Sequence, residues 1–407
     1  MSCAVPPGAW GRIFLPFALG YYLSYLLRTV NAVISPALTD EIGLSAAQLG
    51  LLTSMYFFAF GLAQIPVGIA LDRYGPRRVE SALLLLTALG AVLFALGDSM
   101  GGLGLARALI GLGVSACLMG ALKGFALWYP PERQSSMTGF IMACGAMGAL
   151  TASAPLEAVM PLIGWRGAFW GIAIVALLAS GSLFFSLPRE EAVVSQGTLG
   201  TALKGVGHIF VAPAFLRFAS SSLFFVGGFM ALQSLWAVPW LMHVEGLDLA
   251  GAAQVLLLLN LGMLAGQLSI GFFGVRLARR GVQPLRLLHV GYSSLLLVQA
   301  AILFGLGPVT VLWFLLGALS AVNSQAYLAT ANHFPREMFG RVSTSINLMA
   351  FAGAFLVQWG VGLVLDLLRA GGWSMPNALR FAFAALLVMQ ILSFLPLLTR
   401  RGRGREA

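Results

Sequence analysis

Gly68-Ile-Ala-Leu-Asp72-Arg73-Tyr-Gly75-Pro-Arg77-Arg78 separates two long apolar runs, residues 46–71 and 79–97. A glycine, an Asp-Arg pair four residues on, a second glycine and paired arginines form a compact charged turn between segments long enough to cross a bilayer. Gly68 and Gly75 allow close backbone approach and a sharp reversal. Asp72 offers a carboxylate to a nearby helix N-terminus, and Arg73, Arg77 and Arg78 hold this end of the helices on the cytoplasmic side.

Composition extends the membrane reading to the whole chain of 407 residues, which is 59% hydrophobic and 9% charged. A soluble domain carries about 25% charged residues. Mean hydropathy is +0.90. Continuous helical-length runs point to a helical bundle and away from a barrel of short alternating strands. Cys3, Cys117 and Cys144 imply no disulfide framework. The first apolar stretch continues too long for a signal peptide and reads as a spanning helix.

Runs of about twenty apolar residues predict helices near 12–38, 46–72, 78–98, 102–128, 134–160 and 167–187. A second set falls near 211–242, 249–276, 284–306, 308–332, 338–367 and 377–399. The expected fold is therefore all-α and integral to the membrane, with 12 transmembrane helices in two six-helix bundles. Residues 1–187 form the N-terminal bundle, 188–210 a cytoplasmic linker, and 211–407 the C-terminal bundle with its basic tail. Of the 24 Lys and Arg residues, three fall outside (Arg166, Arg369, Arg380) and three within spans (Arg28, Arg107, Lys123). All others lie on the inner side, which places both termini in the cytoplasm. The net charge of +10 is thus topological, with Arg400, Arg401, Arg403 and Arg405 anchoring the tail to anionic lipid, and no nucleic-acid partner is implied. Ile270–Arg280 echoes the opening turn in the second half without its acid, since Val275 stands roughly where Asp72 would.

The Gly68–Arg78 turn resembles the loop between helices 2 and 3 of the major facilitator superfamily, matching at every signature position. Arg107-Ala-Leu-Ile-Gly111-Leu-Gly113 resembles that family's fourth-helix motif. The first span, Tyr21 through Asn31, is similar to that of organophosphate:phosphate antiporters, whose arginine at the position of Arg28 binds the substrate's anionic group. Trp128-Tyr-Pro-Pro-Glu-Arg133 resembles other anion-transporting branches, including nitrate and organic-anion porters. The match departs at the seventh span, where Met230–Trp236 offers no second cation. The resemblance implies a transporter, not an enzyme, lined by helices 1, 4, 7 and 10.

Charge at mid-membrane costs about 2.5–3.5 kcal/mol on insertion scales and therefore usually serves a purpose. Arg28 is placed to hold a carboxylate or similar oxyanion bidentately, or else to pair with buried carbonyls or an acid. Lys123 reads equally as an anion-attracting group or as an interfacial anchor. Asn31, Gln233, Trp236, Asn323 and Tyr327 complete the expected substrate-binding set, although each polar residue also suits an interhelical hydrogen bond. Pro239 is expected to kink the seventh helix. Gly68, Asp72, Arg73, Gly75, Arg77 and Arg78 form a conformational latch, with Asp72 capping the eleventh helix near Phe339 and Gly340 when the cytoplasmic side is closed. Arg107, Gly111, Gly113, Glu157 and Asp366 are assigned to helix packing or proton coupling, the two acids near the ends of helices 5 and 11.

No metal site, cofactor or ATP-cradling loop is implied. The expected activity is alternating-access transport of a small organic anion across a bacterial-type inner membrane, driven by protons or another coupling ion, by a monomer. Proton-antiport efflux of drugs or metabolites is the alternative. It is disfavoured because Gly139–Pro155 lacks the Gly-Pro-x-x-Gly-Gly signature of antiporter branches.

Overall fold

The computed structural model describes residues 10–188, 207, 209–335 and 338–398; most of the expected linker and the basic tail lie outside them. The described residues are helical, without strands, and ten of their helices are long and apolar enough to cross a membrane. In chain order they form α1 (Leu15–Ile42), a bent stretch Ala46–Leu96, α4 (Met100–Trp128), α6 (Ala154–Ser186) and α7 (Pro213–His243). The second bundle continues with α8 (Leu249–Arg279), α9 (Pro284–Phe304), α10 (Val309–Ala331), α11 (Phe339–Ala370) and α12 (Met375–Leu398). Between α4 and α6 lies α5, Pro131–Thr151, whose apolar part begins at Ser136. Counting the two arms of the bent stretch separately and adding α5 gives twelve helices, although the apolar part of α5, Ser136–Thr151, is shorter than a membrane span needs.

The bend is local chemistry. Gly75 has φ 76° and ψ 160°, a conformation that costs glycine nothing and strains other residues. It splits the stretch into α2 (46–74) and α3 (76–96), with Pro76 at the start of the second arm. At the opposite end of α2, Ser45 and Gln48 form a reciprocal capping box. Ser99 caps α4 by accepting from Gly102 N–H.

One boundary departs from expectation. The fifth helix was expected to run to residue 160, but it stops at Thr151, and a new helix opens at Ala154 with Pro155 in its first turn. Gly164, at φ 64°, then bends that helix before Trp165. Glu157 therefore lies in the first turn of α6, not near the end of helix 5. In α7 the ladder widens twice into π-helical turns, at Ser222–Val226 and Leu232–Trp236. The second lies just before Pro239, whose missing N–H frees the carbonyl four residues earlier.

The bundles touch along one face. On α2 the cross-bundle contacts run from Ser45, bonded to Asp366 of α11, through Phe60, stacked on Phe351 at 4.4 Å, to Gln64, which accepts from Asn347 at 3.5 Å. Glycine makes the approach possible: a Cβ on Gly50 would sit 2.6 Å from the Gln358 carbonyl, and one on Gly362 would meet the Ala46 carbonyl closer still. Between α8 and α5, Asn260 donates to the Ala149 carbonyl at 3.1 Å. Past Gln64, towards Gly75, the side-chain bonds made to α2 come from its own bundle, from Lys123. Among the described residues, the side-chain bonds between α2 and α11 gather towards the Asp366 end.

Candidate functional site

Arg28 sits where the two bundles meet. On α1 it follows Tyr25 by three residues, one turn, so its guanidinium folds back over that ring at 4.4 Å. Phe60 of α2 and Phe351 of α11 lie 5.7 Å from it on other sides. The Tyr56 phenol stands against the guanidinium and donates to the Ser24 carbonyl at 3.0 Å. Tyr327 of α10 lies within electrostatic range of the same group. Arg28 is 8% exposed, its Nε has no hydrogen-bond partner, and no acid pairs with it among the described residues. The three ion pairs there are Lys123–Asp72, Arg166–Glu41 and Arg166–Asp98. A guanidinium packed among rings keeps its charge and its fork of donors, and no carboxylate among the described residues takes them up.

The other expected binding residues divide. Tyr327 lies on the Arg28 side of α10 only within electrostatic range, and donates to Asn347 Oδ1 at 3.0 Å. Asn31, fully buried, donates to Thr53 at 2.8 Å, while its own Oδ1 is without a partner. Gln233 donates to Asn260 at 2.7 Å, and Trp236 Nε1 donates to the Gln358 carbonyl at 3.0 Å, so both join helices in this conformation. Asn323 carries a buried oxygen with no partner. Lys123 lies apart from this group, bonded to Asp72 at 2.7 Å and to the Leu71 carbonyl at 2.8 Å.

Asp72 is bonded to Lys123, and Arg77 donates to the Phe184 carbonyl of α6 at 2.7 Å. A Cβ on Gly68 would meet open space, so the close approach expected there is not made, while Arg73 and Arg78 flank the bend at Gly75 with Arg73 over the Tyr74 ring. At the other end of these helices Asp366 of α11 caps α2, the same kind of contact, in reverse, as that expected of Asp72 with α11. Its carboxylate accepts from Ser45 Oγ at 2.6 Å and from the Ala46 and Ala47 N–H groups at 3.0 Å each, capping α2. Arg107 is fully buried, donates to the Leu27 carbonyl at 2.9 Å and lies over Phe94 and Phe169. Gly111 and Gly113 bring α4 against the backbone of α2 and α3.

Sequence reasoning missed the rings around Arg28. Tyr25 was findable from its one-turn spacing, whereas Phe60 and Phe351 are ordinary apolar residues until the helices are placed. It also passed over Glu80, an acid inside a predicted span.

A profile of the Major Facilitator Superfamily matches residues 17–358, most of the chain. The protein belongs to the major facilitator superfamily, whose members here are transporters and not enzymes. It is 28% identical to a "Probable L-galactonate transporter" of Escherichia coli (strain K12), over 65% of this chain and 61% of that one. The chain thus spans under two thirds of that relative. With a "Probable nitrate/nitrite antiporter" of Thermus thermophilus it shares 26% identity over 85% of this chain and 83% of the other. A hexuronate transporter of Escherichia coli is 27% identical over 45% of this chain and 42% of its own length. Among solved structures, a D-xylose-proton symporter superposes with TM-score 0.75 at 16% identity, covering 95% of this chain and 97% of that one. A bacterial homologue of the lysosomal transporter Spinster, in an inward-facing and unoccupied conformation, gives 0.71 at 19% identity, covering 95% of each chain. Both establish the fold alone.

Proposed function

We propose that this protein imports a small organic anion together with protons across a bacterial inner membrane, with Arg28 as the anion-binding group. The carrying observation is the guanidinium itself, an unpaired cation between rings contributed by both bundles. Relatives described as galactonate, hexuronate and nitrate/nitrite transporters handle anions, which supports the charge of the cargo. Twelve helices cross the membrane in two units, 1–187 and 211–407, joined by a cytoplasmic linker, and both termini are cytoplasmic. The Asp72 face is then the cytoplasmic one and, with the α2–α11 bonds gathered towards Asp366, the conformation is inward-facing. Access alternates as the bundles rock about Arg28. Asp366 holds the outer side closed through the N-terminus of α2, and Asp72 leaves Lys123 to hold the inner side closed through α11. Tyr327, Asn31 and Asn323 flank the cargo, Gln233 and Trp236 join them when α7 shifts, and Lys123 attracts anions at the inner mouth. The unit is a monomer.

Uptake of labelled galactonate, galacturonate and nitrate into proteoliposomes tests the reading. Arg28→Ala should abolish saturable uptake of whichever anion the native protein carries, while leaving the protein folded. Full retention of that uptake would remove Arg28 from the site and the anion from the proposal.

A further inference from the structure

Glu80 lies one turn inside α3 from the bend, fully buried, and neither carboxyl oxygen has a hydrogen-bond partner. The seam it occupies is cut to fit. A Cβ on Gly20 of α1 would stand 2.8 Å from Oε1, and one on Gly120 of α4 would collide with Oε2. Two helices thus give up side chains where the carboxyl projects. The titratable group against it is the Cys117 thiol of α4. On α1 the facing residue, Gly20, carries no charge. On α6, Ser180 donates to the Ser81 carbonyl at 2.8 Å, so α3 is fastened to α6 beside Glu80, while the groups that face the carboxyl itself from α1 and α4 are two glycines and a thiol.

An ionisable group in such a place is costly, and Gln or Leu would fill the volume without the charge penalty. From this geometry we propose that Glu80 is the proton-binding carboxyl of the transport cycle, which rests on the proton-coupled reading above. In the closed seam the carboxyl holds a proton on one oxygen. When water enters between α3 and α4, the proton passes to it and a carboxylate remains. Lys123 lies three residues, about one turn, beyond Gly120 on the same helix and is bonded here to Asp72. A charged Glu80 competes for Lys123 and frees Asp72 for α11. Proton release to the inside therefore favours closure of the inner side, the order an importer needs.

Two readouts on the full-length reconstituted protein test this. Infrared difference spectra between acid and alkaline pH should contain a protonated-carboxyl carbonyl band that disappears as pH rises and is missing from Glu80→Gln. A Glu80-dependent band that persists at every pH, or no band lost in Glu80→Gln, would make the acid a structural fixture and overturn the proposal. In proteoliposomes, labelled L-galactonate is the probe. Glu80→Gln should lose accumulation driven by a pH gradient while keeping counterflow exchange, which moves no net proton; retained gradient-driven accumulation would overturn it. If the native protein carries no L-galactonate, the choice of cargo fails, and the infrared measurement still decides Glu80.

Discussion

Removing the Asp366 carboxylate should open the closed face. Its three bonds to Ser45, Ala46 and Ala47 tie α11 to the first turn of α2, and the bundles cannot part there without breaking them. Loss of a side-chain cap costs about 0.5–2 kcal/mol, typically ~1. The charge at the helix N-terminus contributes about 0.3–1 kcal/mol more, towards the low end here because Ser45 is exposed to water. Once the face opens, water replaces the contact, so nearly the whole difference falls on the closed state. Asp366→Ala should thus shift the closed-to-open ratio by about 1–2 kcal/mol, or roughly 5–30-fold. Spin labels at Asp40 on α1 and Ala370 on α11, in a background without native cysteines, report the separation by pulsed dipolar spectroscopy. The long-distance population should rise by that factor, and Ser45→Ala, which removes one bond of three, should give a smaller rise. An unchanged distance distribution in Asp366→Ala would refute the reasoning.

Gly362→Leu should act on the same contact more severely, because any Cβ there falls 2.8 Å from the Ala47 Cα and closer to the Ala46 carbonyl. The same labelled pair should show the face held open, with uptake lost and anion binding retained by thermal shift. Arg107→Ala should destabilise the fold by about 2–5 kcal/mol, the range for emptying a large buried volume, seen as a lower melting temperature in detergent. These outcomes join the losses expected of Arg28→Ala and Glu80→Gln.

Much of the fold was legible because the membrane enforces it. A bilayer demands long apolar helices, and a turn such as Gly68–Arg78 can only join two of them. Helix ends were harder. Thr151 to Ala154 interrupts an apolar run with no charge to mark it, and the break shows only in Pro155 and in the bend at Gly164. Arg28 stood out because charge within a span is rare, yet its companions Phe60 and Phe351 are 32 and 323 residues away in a chain rich in phenylalanine. Asp366 looked like an interfacial acid, since nothing near it in the sequence announces the α2 terminus it caps. Glu80 was hidden by its setting, one acid among apolar neighbours, with the glycines that house it on two other helices.

The two widened turns of α7 carry a mechanical consequence. Each holds one residue more than regular helix needs, so the strand of backbone around Gln233 and Trp236 contains slack. Such slack can migrate: one turn tightens as the next loosens, and the side chains between them rotate by about 100° without the rod snapping. Excising a single residue within Leu232–Trp236 would take up the slack and leave Trp236 facing a fixed direction, turning a swivel into a strut.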